Sequence, residues 1–152
     1  MRHVTAAIAL CVLAACHPLA EKPTVDHGWI RLAAVSGRPA AAYFTMHGGQ
    51  QDDALLSVST PIANKVELHE SMKTGGDDGA PMMMTMKAIR QVAVPAGETV
   101  KFAPGGRHAM LFDVSPKIQA GDTAPLTLHF ASGTNVQVSA KVIAAGDPAP
   151  KG

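Results

Sequence analysis

The chain has 152 residues, 47% hydrophobic but only 4% aromatic and 16% charged, with 14 glycines, 11 prolines and 8 methionines. That length suits one domain around a single core, and 13 basic against 12 acidic residues leave no surplus charge to hold a nucleic acid backbone. Disorder and a coiled coil are excluded by the apolar content and by glycine and proline spread along the chain.

Residues 1–15 carry Arg2 ahead of an uncharged apolar stretch that is too short to anchor a membrane-spanning helix. The stretch ends in Leu13-Ala14-Ala15-Cys16, which resembles a bacterial lipobox. This predicts a lipoprotein signal peptide over 1–15, cleavage before Cys16 and lipidation of the Cys16 thiol. The expected location is the periplasmic side of the cell envelope, with the lipid as the only membrane contact. His17 follows Cys16 where an acidic residue would signal inner-membrane retention under the enterobacterial rule, so the outer membrane is favoured.

Cleavage also removes Cys11, which leaves one cysteine. No intramolecular disulfide is then possible, and no thiolate remains for nucleophilic catalysis, an iron–sulfur cluster or a blue-copper site. Residues 16–25, with two prolines and no periodicity, read as a tether, residues 26–143 as the folded domain, starting near His27, and residues 144–152 as a loose tail.

Short alternating apolar runs predict nine strands: Trp29–Val35, Ala40–Met46, Ala54–Val58, Lys65–Glu70, Met82–Ile89, Val100–Phe102, His108–Val114, Leu126–Phe130 and Val136–Val142. Turn residues separate them, including Ser36-Gly37-Arg38-Pro39, Gly48-Gly49, Pro95-Ala96-Gly97 and Pro104-Gly105-Gly106. The pattern is an all-β sandwich or barrel.

Period 2 then sorts the chemistry. In Val66-Glu67-Leu68-His69-Glu70 the apolar residues face the core, so His69 shares the other face with Glu67 and Lys65. His108 and Met110 are two apart and point the same way, an imidazole and a thioether one pleat repeat from each other. Met82, Met84 and Met86 likewise share a face. Any one of these methionines could be core filler, and a lone histidine such as His47 or His129 is more often a hydrogen-bonded surface residue. Their co-occurrence in a small exported β domain points to metal. Neutral sulfur suits soft Cu(I), whereas zinc prefers thiolate, imidazole and carboxylate, and calcium or magnesium would need oxygen clusters. No nucleophile paired with a base, phosphate cradle or reasoned carboxylate pair is found, so an enzyme is not expected.

These residues resemble the periplasmic copper chaperones of the PCuAC type, whose signature is His-x10-Met-x21-His-x-Met. Met86 is followed by 21 residues and then His108-Ala109-Met110, while 16 residues rather than ten separate His69 from Met86. The extra six lie in the Gly-rich stretch from Lys73 to Pro81, which lengthens a loop. The resemblance extends through Gly28-Trp29-Ile30-Arg31, Ala41-Ala42-Tyr43-Phe44, Val94-Pro95-Ala96-Gly97-Glu98 and Gly121-Asp122-Thr123-Ala124-Pro125-Leu126. It implies a cupredoxin-like Greek-key β-sandwich with one exposed Cu(I) site made by His69, Met86, His108 and Met110, with Met72 or Met84 as possible substitutes for Met86. It also implies delivery of copper to the binuclear copper centre of cytochrome c oxidase, beside a second, thiol-bearing copper chaperone. Copper(II) would favour nitrogen and oxygen donors, in a secondary site recruiting His17, His27 or other polar groups. Copper sequestration without an oxidase partner, or a metal-free envelope lipoprotein, would share much of this sequence pattern.

Overall fold

A computed structural model describes residues 20–74 and 83–151. Cys16, His17, Met82 and most of the Gly-rich stretch lie outside the described residues. The described chain is all-β and contains ten strands: β1 Thr24–Arg31, β2 Ala40–His47, β3 Asp53–Ser59, β4 Ala63–Thr74, β5 Met83–Ala88, β6 Val92–Val94, β7 Thr99–Phe102, β8 Arg107–Val114, β9 Thr123–Phe130 and β10 Asn135–Ile143. Hydrogen bonds link them in the order β5-β4-β8-β2-β1-β10-β9-β3-β6, with β7 on β2. Only β1 and β10 run parallel among the paired strands of this path. The path folds over a core of Ile30, Phe44, Met46, Leu55, Leu111, Leu126, Leu128 and Val142, and the result is the expected cupredoxin-like sandwich. Each large apolar side chain buried there stabilises the fold by about 1.5–3 kcal/mol.

The alternation in β9 (burial at Ala124, Leu126, Leu128 and Phe130) and in β8 (Ala109 and Leu111) follows the sequence pattern directly. Two elements depart from it. β6 was not anticipated, because Val-Ala-Val between turns is too short to show a period. β1 starts at Thr24, ahead of the expected domain start, and stops at Arg31 rather than Val35. Its register with β2 shifts between Asp26 and Trp29, and His27 there has φ +50°, so a bulge breaks the alternation that would mark the strand from sequence.

The expected loose tail has fixed contacts. Arg31 Nη2 donates to the Asp147 carbonyl at 3.1 Å, and the Ala144 N–H donates to Asp147 Oδ2 at 2.9 Å, which ties residues 144–147 to β1. At Gly48 a Cβ would stand 1.9 Å from the Pro95 carbonyl oxygen, so only glycine fits where the end of β2 meets the turn before β7. Among the described residues no helix is long and apolar enough to cross a membrane.

Candidate metal centre

β4 and β8 form an antiparallel pair whose register sets His69 opposite His108, Glu67 opposite Met110 and Leu68 opposite Ala109. Leu68, Ala109 and Leu111 point into the core. Period 2 therefore turns Glu67, His69, His108 and Met110 to the outer face together. The two imidazole rings lie 5.8 Å apart, centre to centre, at 42°.

Each ring uses one nitrogen to hold itself in place. His108 Nδ1 lies 3.2 Å from the Gly106 carbonyl, which can only accept, so Nδ1 carries the proton and Nε2 is a lone pair. The same carbonyl accepts the Ser71 N–H at 3.1 Å. His69 Nε2 lies 3.0 Å from Glu67 Oε2, so Nε2–H donates and Nδ1 is the lone pair. His69 Nδ1 is buried and has no hydrogen-bond partner; Arg31 Nε is the other such side-chain atom among the described residues. A buried polar atom left unpaired costs about 1–3 kcal/mol, which a bound ion would offset. Fixing one imidazole nitrogen by a carboxylate or carbonyl and leaving the other bare is how protein metal sites orient histidine.

Glu67 is kept ionised for this task. The Lys65 ammonium, 2.5 Å from Glu67 Oε1, and then the bond to His69 hold its carboxyl below the usual glutamate value. Gly105, at φ +80°, makes the turn that aims the Gly106 carbonyl at His108.

The pairing of β4 with β5 sets Ala88 opposite His69, Met86 opposite Ser71 and Met84 opposite Lys73. Met86 is thus a diagonal neighbour of His69 across β5, and Met110 is a diagonal neighbour across β8. Diagonal pairs lie about 7–8 Å apart, within reach of long side chains. Met84 is one pleat further away. Met72 is opposite Thr85 and so belongs to the other face of β4. Three residues from His69 on the same strand, it faces the other way, so it is less well placed than Met84 to substitute for Met86.

The expected exposure is found at the β5 methionines, whereas Met110 is half-buried and His108 is buried. Met84 and Met86 are about three-fifths exposed, at 60% and 61%, whereas His108 is 5% exposed. His108 lies between His69 and Tyr43, whose ring stands 6.4 Å from that of His108 and 4.3 Å from Trp29. Trp29, Tyr43 and Ile143 form a second apolar cluster on the outer face.

Sequence reasoning gave no role to Glu67, the Gly106 carbonyl or Tyr43. Glu67 carried a usable signal, since it shares parity with His69 two residues away. The other two depend on strand pairing. His47 and His27 flank the Asp26 carboxylate at 3.0 and 2.5 Å, and His129 bonds Ser59 and Asn135, so none of the three is drawn to this centre. Among the described residues no group of three or more His, Cys, Asp or Glu side chains is placed to hold a metal ion. The other donors that the register brings to the face of the two imidazoles are thioethers.

The family model described as "Putative lipoprotein LpqE-like" matches residues 23–142, nearly the whole sandwich. The chain belongs to the LpqE-like lipoprotein family. This LpqE-like chain is 29% identical over 124 residues to "Putative lipoprotein Lxx21020" of Leifsonia xyli subsp. xyli, an alignment that spans 81% of the chain and 70% of that protein. Its fold is that of PCuAC domains. The copper-bound PCuAC domain from PmoF2 superposes with a TM-score of 0.63 at 22% identity, covering 84% of this chain and 97% of that domain. The solution structure of Cu(I)-DR1885 from Deinococcus radiodurans gives 0.57 at 26% identity, covering 87% and 83%.

Proposed function

We propose that this protein is a copper carrier of the bacterial cell envelope that binds one Cu(I) through His69, His108, Met86 and Met110. The observation that carries the reading is the buried, unpartnered Nδ1 of His69 beside a His108 ring whose Nε2 is likewise left as a lone pair. Two neutral nitrogens flanked diagonally by two neutral sulfurs suit a soft monovalent ion. The fold shared with a copper-bound PCuAC domain and with Cu(I)-DR1885 supports the same choice. Lipidation at Cys16 would hold the carrier at the membrane, in keeping with its lipoprotein family.

The residues divide the work simply. In their neutral form His69 presents a lone pair at Nδ1 and His108 one at Nε2, the tautomers that Glu67 and the Gly106 carbonyl select. The thioethers bind without any protonation step. Cu(I) is cargo: it arrives and leaves by ligand exchange, with no change in oxidation state. The receivers that fit such a carrier are the binuclear copper centre of cytochrome c oxidase and a thiol-bearing chaperone that serves it, since thiolates outcompete thioethers for Cu(I).

The test is an anaerobic titration of the full chain with Cu(I) against a colorimetric chelator, with a His108→Ala/Met110→Ala variant and circular dichroism beside it. One tight equivalent in the parent, lost in a folded variant, is expected. A folded parent that fails to compete for Cu(I) would overturn the reading and leave a β-sandwich lipoprotein with another ligand.

A further inference from the structure

We infer that Cu(I) enters and leaves along β5, at the edge of the sheet, with Met84 acting as a transient thioether relay to Met86. The inference rests on the copper reading above and adds a direction and a residue to it.

The two flanks of the imidazole pair differ. On the β2 side Tyr43 and Trp29 are 8% and 9% exposed and pack against each other beside His108, so that flank is closed by aromatic rings. On the β5 side the sheet ends, β5 being paired with β4 alone among the described strands. Alternation along β5, read with its register on β4, places Met84, Met86 and Ala88 on the face that carries His69. The thioethers of Met86 and Met84 thus step outward from His69 at successive pleats, about 7 Å apart along the strand. Both are well exposed. An ion travelling along β5 from its Met83 end toward His69 meets Met84 first and Met86 next.

The chemistry of hand-over needs only ligand exchange. A Cu–S bond to Met84 forms as the incoming donor departs, a Cu–S bond to Met86 forms next, and the bond to Met84 then breaks. No electron or proton moves. Methionine side chains have three rotatable bonds, so two of them one pleat apart can share one ion during the exchange. Lys73, directly opposite Met84 and exposed, adds a positive charge that opposes lasting residence of a cation there. Met84 is accordingly a stage on the path and not a fifth ligand.

Stopped-flow transfer between the full chain and a colorimetric Cu(I) chelator, run anaerobically in both directions, tests this. Met84→Leu is expected to keep the equilibrium affinity within about twofold and to slow both loading and release about tenfold. Met72→Leu, which removes an exposed thioether from the opposite face, is expected to leave both rates unchanged. Met84→Leu weakening affinity as much as Met86→Leu would overturn the relay by making Met84 a ligand. Unchanged rates in Met84→Leu, or equal slowing by Met72→Leu, would overturn it as a path. Absence of Cu(I) binding by the folded parent chain would instead overturn the copper reading itself, and the relay with it.

Discussion

His69 on β4 and His108 on β8 stand opposite each other in register with rings 5.8 Å apart, and each engages the protein through one nitrogen while presenting the other. Their holding groups differ. Glu67 is an ionised carboxylate on the same strand as His69, and Gly106 is a backbone carbonyl in the turn before β8.

That difference makes Glu67 the mutable member of the pair. Glu67→Gln removes the charge that favours the Nε2–H tautomer of His69 and the ion pair with Lys65. Cu(I) affinity should fall about tenfold with the fold intact, as for other groups that orient a metal-binding histidine. Competition titration of variant and parent checks this, and equal affinities would show that the Glu67 bond does not orient the ligand.

The register also ranks the methionines. Met86→Leu should weaken Cu(I) binding clearly more than Met72→Leu, because Met86 is diagonal to His69 and Met72 is on the other face. Leucine is close in volume and apolar, so neither change should disturb folding by more than about 1.5 kcal/mol. Parallel titrations decide it; a larger loss in Met72→Leu would place the thioether donor on the other face of β4 and overturn the choice of Met86.

In the core, Phe44 is 1% exposed and stacks on Phe102 at 4.4 Å. Phe44→Ala should destabilise the domain by about 3–5 kcal/mol through lost burial and the cavity left behind. Urea unfolding measures this directly, and a loss under about 1 kcal/mol would argue against so closed a core.

Stability should fall in acid. Burial pushes the Asp53 carboxyl up, but hydrogen bonds from Ser132 and from the Ala54 and Ser132 N–H groups, at 2.8 and 3.0 Å for the latter two, outweigh it and hold the group below the usual aspartate value. A carboxyl lowered in the folded state stabilises the fold fully above its unfolded value, and the contribution disappears as pH falls through the folded value. The urea midpoint should therefore drop as pH is taken below the ordinary carboxylate range. Asp53→Asn should show a shallower drop than the parent; identical pH profiles would remove Asp53 from the account.

Alternation in the sequence was enough to place most strands and to put His108 beside Met110 and His69 beside Glu67, because period 2 is a property of the local backbone. It was also enough to name soft sulfur and imidazole as the chemistry on offer. It missed β6, which is too short to show a period, and the start of β1, where the His27 bulge interrupts the pattern. The pairing of β4 with β8 and β5 is non-local, and only the tertiary structure decided it. The pairing of β4 with β8 brought His69 against His108, that of β5 with β4 set Met86 diagonal to His69, and that of β2 with β8 set Tyr43 as a wall beside the centre. A one-residue slip in any one of these pairings would undo its own assignment with no change in sequence pattern, since each strand shows its own alternation and carries no record of which residue it will face.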